Sequence, residues 1–192
     1  MQEALPTLSK VTHLSAVLSG ILAAYLLTVF FLFLFRKKAP WPRLARLGLF
    51  GMLGAYALVY LYLTFFYRPS TGDRRLVLQL FWSYREAFSL EGGFHIRRLG
   101  VARSILLNVL LDLPLGFLLP ALFRTSHPYR WTLLCVLVLS LGTETLQYFT
   151  GRGLCEFDDV FDNLLGAALG CIGIAPVLAV MKRTCFSPIN RI

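Results

Sequence analysis

The apolar residues of this chain fall into long runs separated by short polar stretches. Five runs stand out: Leu14 to Phe35, Leu44 to Tyr67, Val101 to Phe123, Trp131 to Thr150 and Val160 to Met181, each bounded by basic, Gly-rich or Pro-rich punctuation. A helix of about 20 residues crosses about 30 Å of hydrocarbon at roughly 1.5 Å per residue. The pattern therefore predicts an all-α, polytopic transmembrane helical bundle of about five spans. No internal repeat and no low-complexity linker interrupts it, so residues 1–192 are read as a single membrane domain. The first run exceeds the roughly 7–15 apolar residues of a signal-peptide core, its leader is not basic, and no small-x-small cleavage site follows it before Arg36, Lys37 and Lys38. It is expected to be a retained helix.

The segment from Arg68 to Gly100 is too long for a turn and too polar to span. Within it, Leu76 to Phe88 mixes aromatic and apolar residues with Gln79, Arg85 and Glu86, as an interfacial or re-entrant element would. An irregular loop anchored at the interface by Trp82 and Tyr84 fits the same composition. If this segment crossed, the spans would number six.

Composition agrees with the pattern: 57% of the 192 residues are hydrophobic and 15% are charged. The formal net charge of +9 does not imply nucleic acid, because the basic residues sit in short segments between spans. With five spans the connecting segments divide between two faces. One group (Arg36 to Arg46, Arg124, Arg130, and Lys182 to Arg191) holds ten basic residues and no acid; the other holds nine, with eight acids. The first group is much shorter, and its density places the N-terminus outside and the C-terminus in the cytoplasm.

Charge inside a span is costly, about 2.5–3.5 kcal/mol at a helix centre, and such residues face the bundle interior. Asp112 and Glu144 are the two deep ones. Ser104, Asn108 and Asp112 recur every four residues on the third span. Ser140, Glu144 and Gln147 share a face of the fourth, and Asp159, Asn163, Gly166 and Gly170 share one of the fifth. At about 1.5 Å per residue, Asn163, Gln147, Glu144 and Asn108 lie roughly 5–10 Å from helix ends that the five-span topology puts on one face, with Asp112 deeper. Polar groups of three helices thus converge beneath the loop bearing Arg152, Glu156, Asp158 and Asp159. Individually they read as interhelical hydrogen bonds, and Gly166 with Gly170 as a close-packing GxxxG seam. Together they read as a ligand site, since Glu144 needs a cationic or proton partner and Arg152 lies two turns along.

Other chemistry finds less support. Glu156, Asp158, Asp159 and Asp162 offer oxygens to Mg²⁺ or Ca²⁺ but lack an EF-hand's spacing and glycine. Cys135, Cys155, Cys171 and Cys185 show no ligand spacing, and His13, His95 and His127 have no nucleophile motif beside them. No metal, cofactor or catalytic residue is expected. Hydrolysis by the carboxylates stays open as an alternative.

Three blocks resemble the VanZ-like family, small bacterial membrane proteins named for a teicoplanin-resistance accessory protein. The strongest, ETLQYFTGRGLCEFDDVFDNLLGAALG, is similar to the family pattern at Glu144, Gln147, Arg152, Asp158, Asp159, Asn163, Gly166 and Gly170. NVLLDLPLGFLLP matches through Asn108, Pro114 and Gly116, and LQLFWSYREAF does so more loosely. Asp112 stands where the family pattern has an apolar or aromatic residue, Glu156 replaces an aspartate, and the spacing from Arg152 to the acids is one residue longer. The blocks cover residues 76–173. The resemblance implies a cell-membrane protein that lowers susceptibility to teicoplanin-type glycopeptides. The nominated ligand-binding set is Asn108, Asp112, Glu144, Gln147, Arg152, Asp158, Asp159 and Asn163. Membrane lipids are the expected partners, with a glycopeptide antibiotic or an envelope lipid as ligand and a homo-oligomer left open; nucleic acid is not expected. A transporter or flippase, and an enzyme acting on a lipid head group, are the competing classes.

Overall fold

The structure, a computed structural model, describes residues 4–34, 41–66, 74, 76–88, 96–123, 125–152 and 155–185. Five long helices dominate it: α1 (Ala4–Leu34), α2 (Trp41–Leu61), α4 (Ile96–Leu122), α5 (Pro128–Thr150) and α6 (Phe157–Cys185). Each contains a stretch long and apolar enough to cross a membrane, so the chain is a multi-pass membrane protein. Among the described residues between the second and third spans, the regular elements are the two-residue strand β1 (Leu76–Val77) and the short helix α3 (Trp82–Phe88). Seven residues of helix rise about 10 Å, a third of the hydrocarbon thickness, so α3 does not cross, and the spans among the described residues number five.

Local chemistry explains the helix ends. Pro128 opens α5, where a missing N–H costs nothing. Gly151 closes it in a left-handed conformation, φ 62°, with its N–H directed to the carbonyls of Gln147 and Tyr148. Asp158 and Asp159 lie in the first turn of α6, where the helix dipole favours negative charge. The end of α2 widens into a π-helical turn over Tyr62–Phe66. Within α4, Pro114 lacks the N–H that would serve Leu110, and the next carbonyl, that of Leu111, takes the Tyr56 hydroxyl as donor at 2.5 Å.

Packing centres on α4 and α6, which run in the same direction and meet along glycines. A Cβ placed on Gly116 would stand 2.2 Å from the Ala167 carbonyl oxygen; on Gly166, 2.1 Å from that of Val109; on Gly170, 2.3 Å from that of Leu113. Only glycine permits this approach of the two backbones. Helices α1 and α2 complete the bundle on one side of α4, and α5 lies against α4 and α6.

The buried residues segregate by depth. Leu32, Leu49, Phe117, Leu118 and Ile174 form an apolar cluster at the end of the bundle away from β1 and α3. Buried Thr28 and Thr132 near that end donate to their own helices' carbonyls, of Ala24 and Pro128. Toward the opposite end the interior is polar: Asn108, Ser140, Thr143, Glu144, Gln147, Asp158, Asp159, Asp162 and Asn163 are all buried.

Candidate functional site

At that polar end the segment between the second and third spans folds back over the bundle. Leu76 and Val77 pair in parallel with Cys155 and Glu156, the strand β2. Asp158, fully buried at the start of α6, then accepts three hydrogen bonds from the beginning of α3. They come from the Phe81 N–H at 2.6 Å, the Ser83 N–H at 2.9 Å and the Ser83 hydroxyl at 2.6 Å. Asp158 thus serves as an N-cap supplied from another helix, satisfying amides that α3 cannot satisfy itself. It also holds Phe81 at φ 58°, a left-handed conformation that side chains other than glycine rarely adopt. One turn along α6, Asp162 accepts a short hydrogen bond from the Tyr84 hydroxyl. Burial, then this bond and the charge of Asp162, push the Tyr84 phenol well above its ordinary range. The rings of Phe81, Tyr84 and Phe161 meet edge-to-face with centroids 5.1–6.0 Å apart, closing the outer side of the contact.

Beneath this cover, polar side chains tie the helices together in pairs. Asn108 on α4 donates to Asp159 on α6 at 2.7 Å. Asn163 on α6 donates to the Ser140 hydroxyl on α5 at 2.8 Å, while its own carbonyl oxygen is buried with no hydrogen-bond partner. Glu144 on α5 accepts the backbone N–H of Glu156 at 3.0 Å, fixing the chain just before α6. Gln147 and Arg152, at the end of α5, donate to the carbonyls of Thr64 (3.2 Å) and Phe65 (2.5 Å) in the π-helical turn of α2. In an α-helix the last carbonyls lack partners, and here two side chains of a neighbouring helix supply them.

A cavity of about 260 Å³ lies where these elements meet. Gly100, Val101, Ser104 and Ile105 of α4 form one wall, and Trp82 and Ser83 of α3 form its cover. Glu156 and Asp159 supply its carboxylates. The indole N–H of Trp82 is buried without an acceptor. Burial pushes the Cys155 thiol up, and the carboxylates of Glu144, Asp159 and Glu156 push it further. Among the described residues no group of three or more His, Cys, Asp or Glu side chains is placed to hold a metal ion.

The family model described as VanZ/LLP1 matches residues 53–179, two thirds of the chain and every element that builds this arrangement. The chain belongs to the VanZ/LLP1 family. No curated protein and no solved structure matches it. The VanZ region begins at Leu53, within α2, earlier than the motif blocks at 76–173. Its start takes in the turn whose carbonyls receive Gln147 and Arg152, so the end of α2 is structurally part of the VanZ unit.

The VanZ positions nominated from sequence divide into three groups. Asp159 lines the cavity, and Asn108, Glu144 and Asp158 each hydrogen-bond to a residue that does. Gln147, Arg152 and Asn163 join helix to helix without lining it. Asp112 stands apart, fully buried beside Tyr56 of α2, with neither carboxyl oxygen hydrogen-bonded. Sequence reasoning passed over the wall residues Gly100, Val101 and Ile105 and the anchor Ser83. The first three carry no chemistry that marks them, and Ser83 acquires its role only through Asp158, 75 residues later.

Proposed function

We propose that this VanZ-family protein lowers the susceptibility of a bacterial cell to teicoplanin-type glycopeptides by engaging an amphiphilic ligand or lipid in the cavity between α3, α4 and α6. The polar end of the bundle faces outward in this reading, and the C-terminus lies in the cytoplasm. The observation that carries it is the cavity itself. Two carboxylates line a recess at the end of a membrane bundle, and three more polar residues, Asn108, Glu144 and Asp158, hold its walls by hydrogen bonds. Ionisable groups at the end of a membrane bundle are costly to bury, and where they line a recess they mark a ligand pathway. The outward orientation is supported by the dense basic residues of the short segments on the opposite face, from Arg36 to Arg46 above all.

The test is to express the wild type and the variants Glu144→Gln and Asp159→Asn in a susceptible bacterial host, at matched abundance in the membrane. Both substitutions keep side-chain shape and remove charge. Each variant is expected to lose most of the shift in glycopeptide susceptibility that the wild type confers. An unchanged shift in both would remove the cavity from the function.

A further inference from the structure

We infer that the outer face of α3 is seated in the bilayer, with Phe81 and Phe88 among the acyl chains of the leaflet at the polar end of the bundle and Arg85 on a phospholipid phosphate. The inference stands apart from the reading of the cavity, because it concerns the side of α3 turned away from it. Depth is the first argument. The spans that begin at Arg98 and Phe157 have 25 residues each. That is about 37 Å of helix, so an upright span reaches roughly 3–4 Å beyond each side of a hydrocarbon core of about 30 Å. The Tyr84 hydroxyl donates to Asp162, five residues past Phe157 and thus about 8 Å down α6. Ser83 donates to Asp158 and lies, with Trp82, against Gly100 to Ile105, two to seven residues into the other span. Helix α3 is therefore level with the outermost turns of two spans, the depth at which interfacial helices lie. Strand β1 marks the water side, since Leu76 and Val77 pair with Cys155 and Glu156, which precede the last span.

Continuity is the second argument. Phe157, Phe161, Leu165, Leu169 and Ile172 recur every three to four residues on α6 and are all exposed, so they form one stripe of the lipid-facing surface. The Phe81 ring meets Phe161 edge-to-face at 5.1 Å and is itself exposed, while Phe88 stacks on Tyr84 and is 71% exposed. Lipid that covers the stripe meets these two rings next, and a contiguous exposed apolar patch of this kind marks a membrane contact. Arg85 supplies the third argument. It stands three residues before Phe88, on one face of α3, and both are exposed where Ser83 is buried against the bundle. An arginine beside acyl chains lays its stem along them and carries the guanidinium out to the head groups, where phosphate oxygens match its paired N–H donors.

Nitroxide labels on Leu78→Cys and Phe88→Cys test this, in full-length protein with Cys135, Cys155, Cys171 and Cys185 replaced by Ser or Ala, read by power saturation in phospholipid nanodiscs. The label at position 88 is expected to collide several-fold more with oxygen, which concentrates among acyl chains, than with a water-soluble nickel chelate. The label at position 78 should show the reverse. Arg85→Glu, which sets like charge against the phosphate, should shift the label at 88 toward the values at 78 while the Ser83 amide keeps its protection from exchange. Arg85→Lys should leave the label in place. Chelate exposure at 88 with Arg85 present would overturn the seat in the bilayer. Shielding from both reagents would overturn it too, showing protein in place of lipid. An unmoved label in Arg85→Glu would overturn the phosphate contact.

Discussion

Asp158 shows how much one carboxylate can organise. A helix of seven residues is far below the roughly 12–15 that an isolated helix needs in water, so α3 exists because something outside it satisfies its first amides. Three hydrogen bonds to a buried carboxylate do so, each of the charged kind that contributes about 1.5–3 kcal/mol, though not additively. They also offset the left-handed conformation at Phe81, a cost on the order of 1–3 kcal/mol. Asp158→Ala is therefore expected to release α3 while leaving the α4–α6 core folded. In hydrogen exchange the amides of Phe81 and Ser83 should lose their protection and those in the middle of α6 should keep theirs. Unchanged protection at Phe81 and Ser83 would show that the aromatic contacts alone hold the segment. Sequence spacing placed Asp158 correctly in the acidic stretch before the last span, but not its partners, because a cap supplied across 75 residues leaves no local pattern. Asp112 illustrates the converse. Its four-residue spacing from Asn108 aligned the two on one stripe, yet Asn108 reaches toward the N-terminal end of α4, as helical side chains do, and meets Asp159. Asp112 lies about 6 Å deeper, where the neighbours are Tyr56 and α2.

Among the elements, the α4–α6 seam fixes the two helices that line the cavity against each other, along Gly116, Gly166 and Gly170. The glycines were legible as a packing motif; their partner was not. Spacing specifies a face of a helix and says nothing of which neighbour that face meets. The seam makes a sharp contrast among glycines. Gly166→Ala puts a methyl 2.1 Å from the Val109 carbonyl oxygen, which is backbone and cannot swing aside, so the helices must separate. A loss of about 1–3 kcal/mol is expected, the range typical of overpacked interiors. Gly142→Ala meets nothing within 4 Å, and on α5 the same methyl should be neutral or raise stability by up to about 1 kcal/mol through helix propensity. Thermal unfolding in one detergent measures both. Equal effects would mean that the seam tolerates separation and that the close approach is not what fixes α4 on α6.

For the whole molecule, the governing fact is that polarity is sorted by depth, with an apolar core at one end and carboxylates, amides and the cavity at the other. The span count was legible because hydrocarbon forces every backbone group in a span to pair within its own helix, which leaves a long uninterrupted apolar signature. The cover was less so: a two-residue parallel pairing and a seven-residue helix are too short to impose a period on the sequence. Five spans require the α2–α4 connection and the α4–α5 turn to lie on opposite faces, and the orientation proposed above from the density of basic residues puts the former outside. Leu78 and Ser126 are exposed representatives of the two. In a background with Cys135, Cys155, Cys171 and Cys185 replaced by Ser or Ala, Leu78→Cys should react with a membrane-impermeant maleimide on intact cells. Ser126→Cys should react only after permeabilisation. The reverse result would invert the orientation and turn the cavity toward the cytoplasm, out of reach of an external glycopeptide. Labelling of both from the same side would remove a span, and with it the convergence of α4, α5 and α6 on one end.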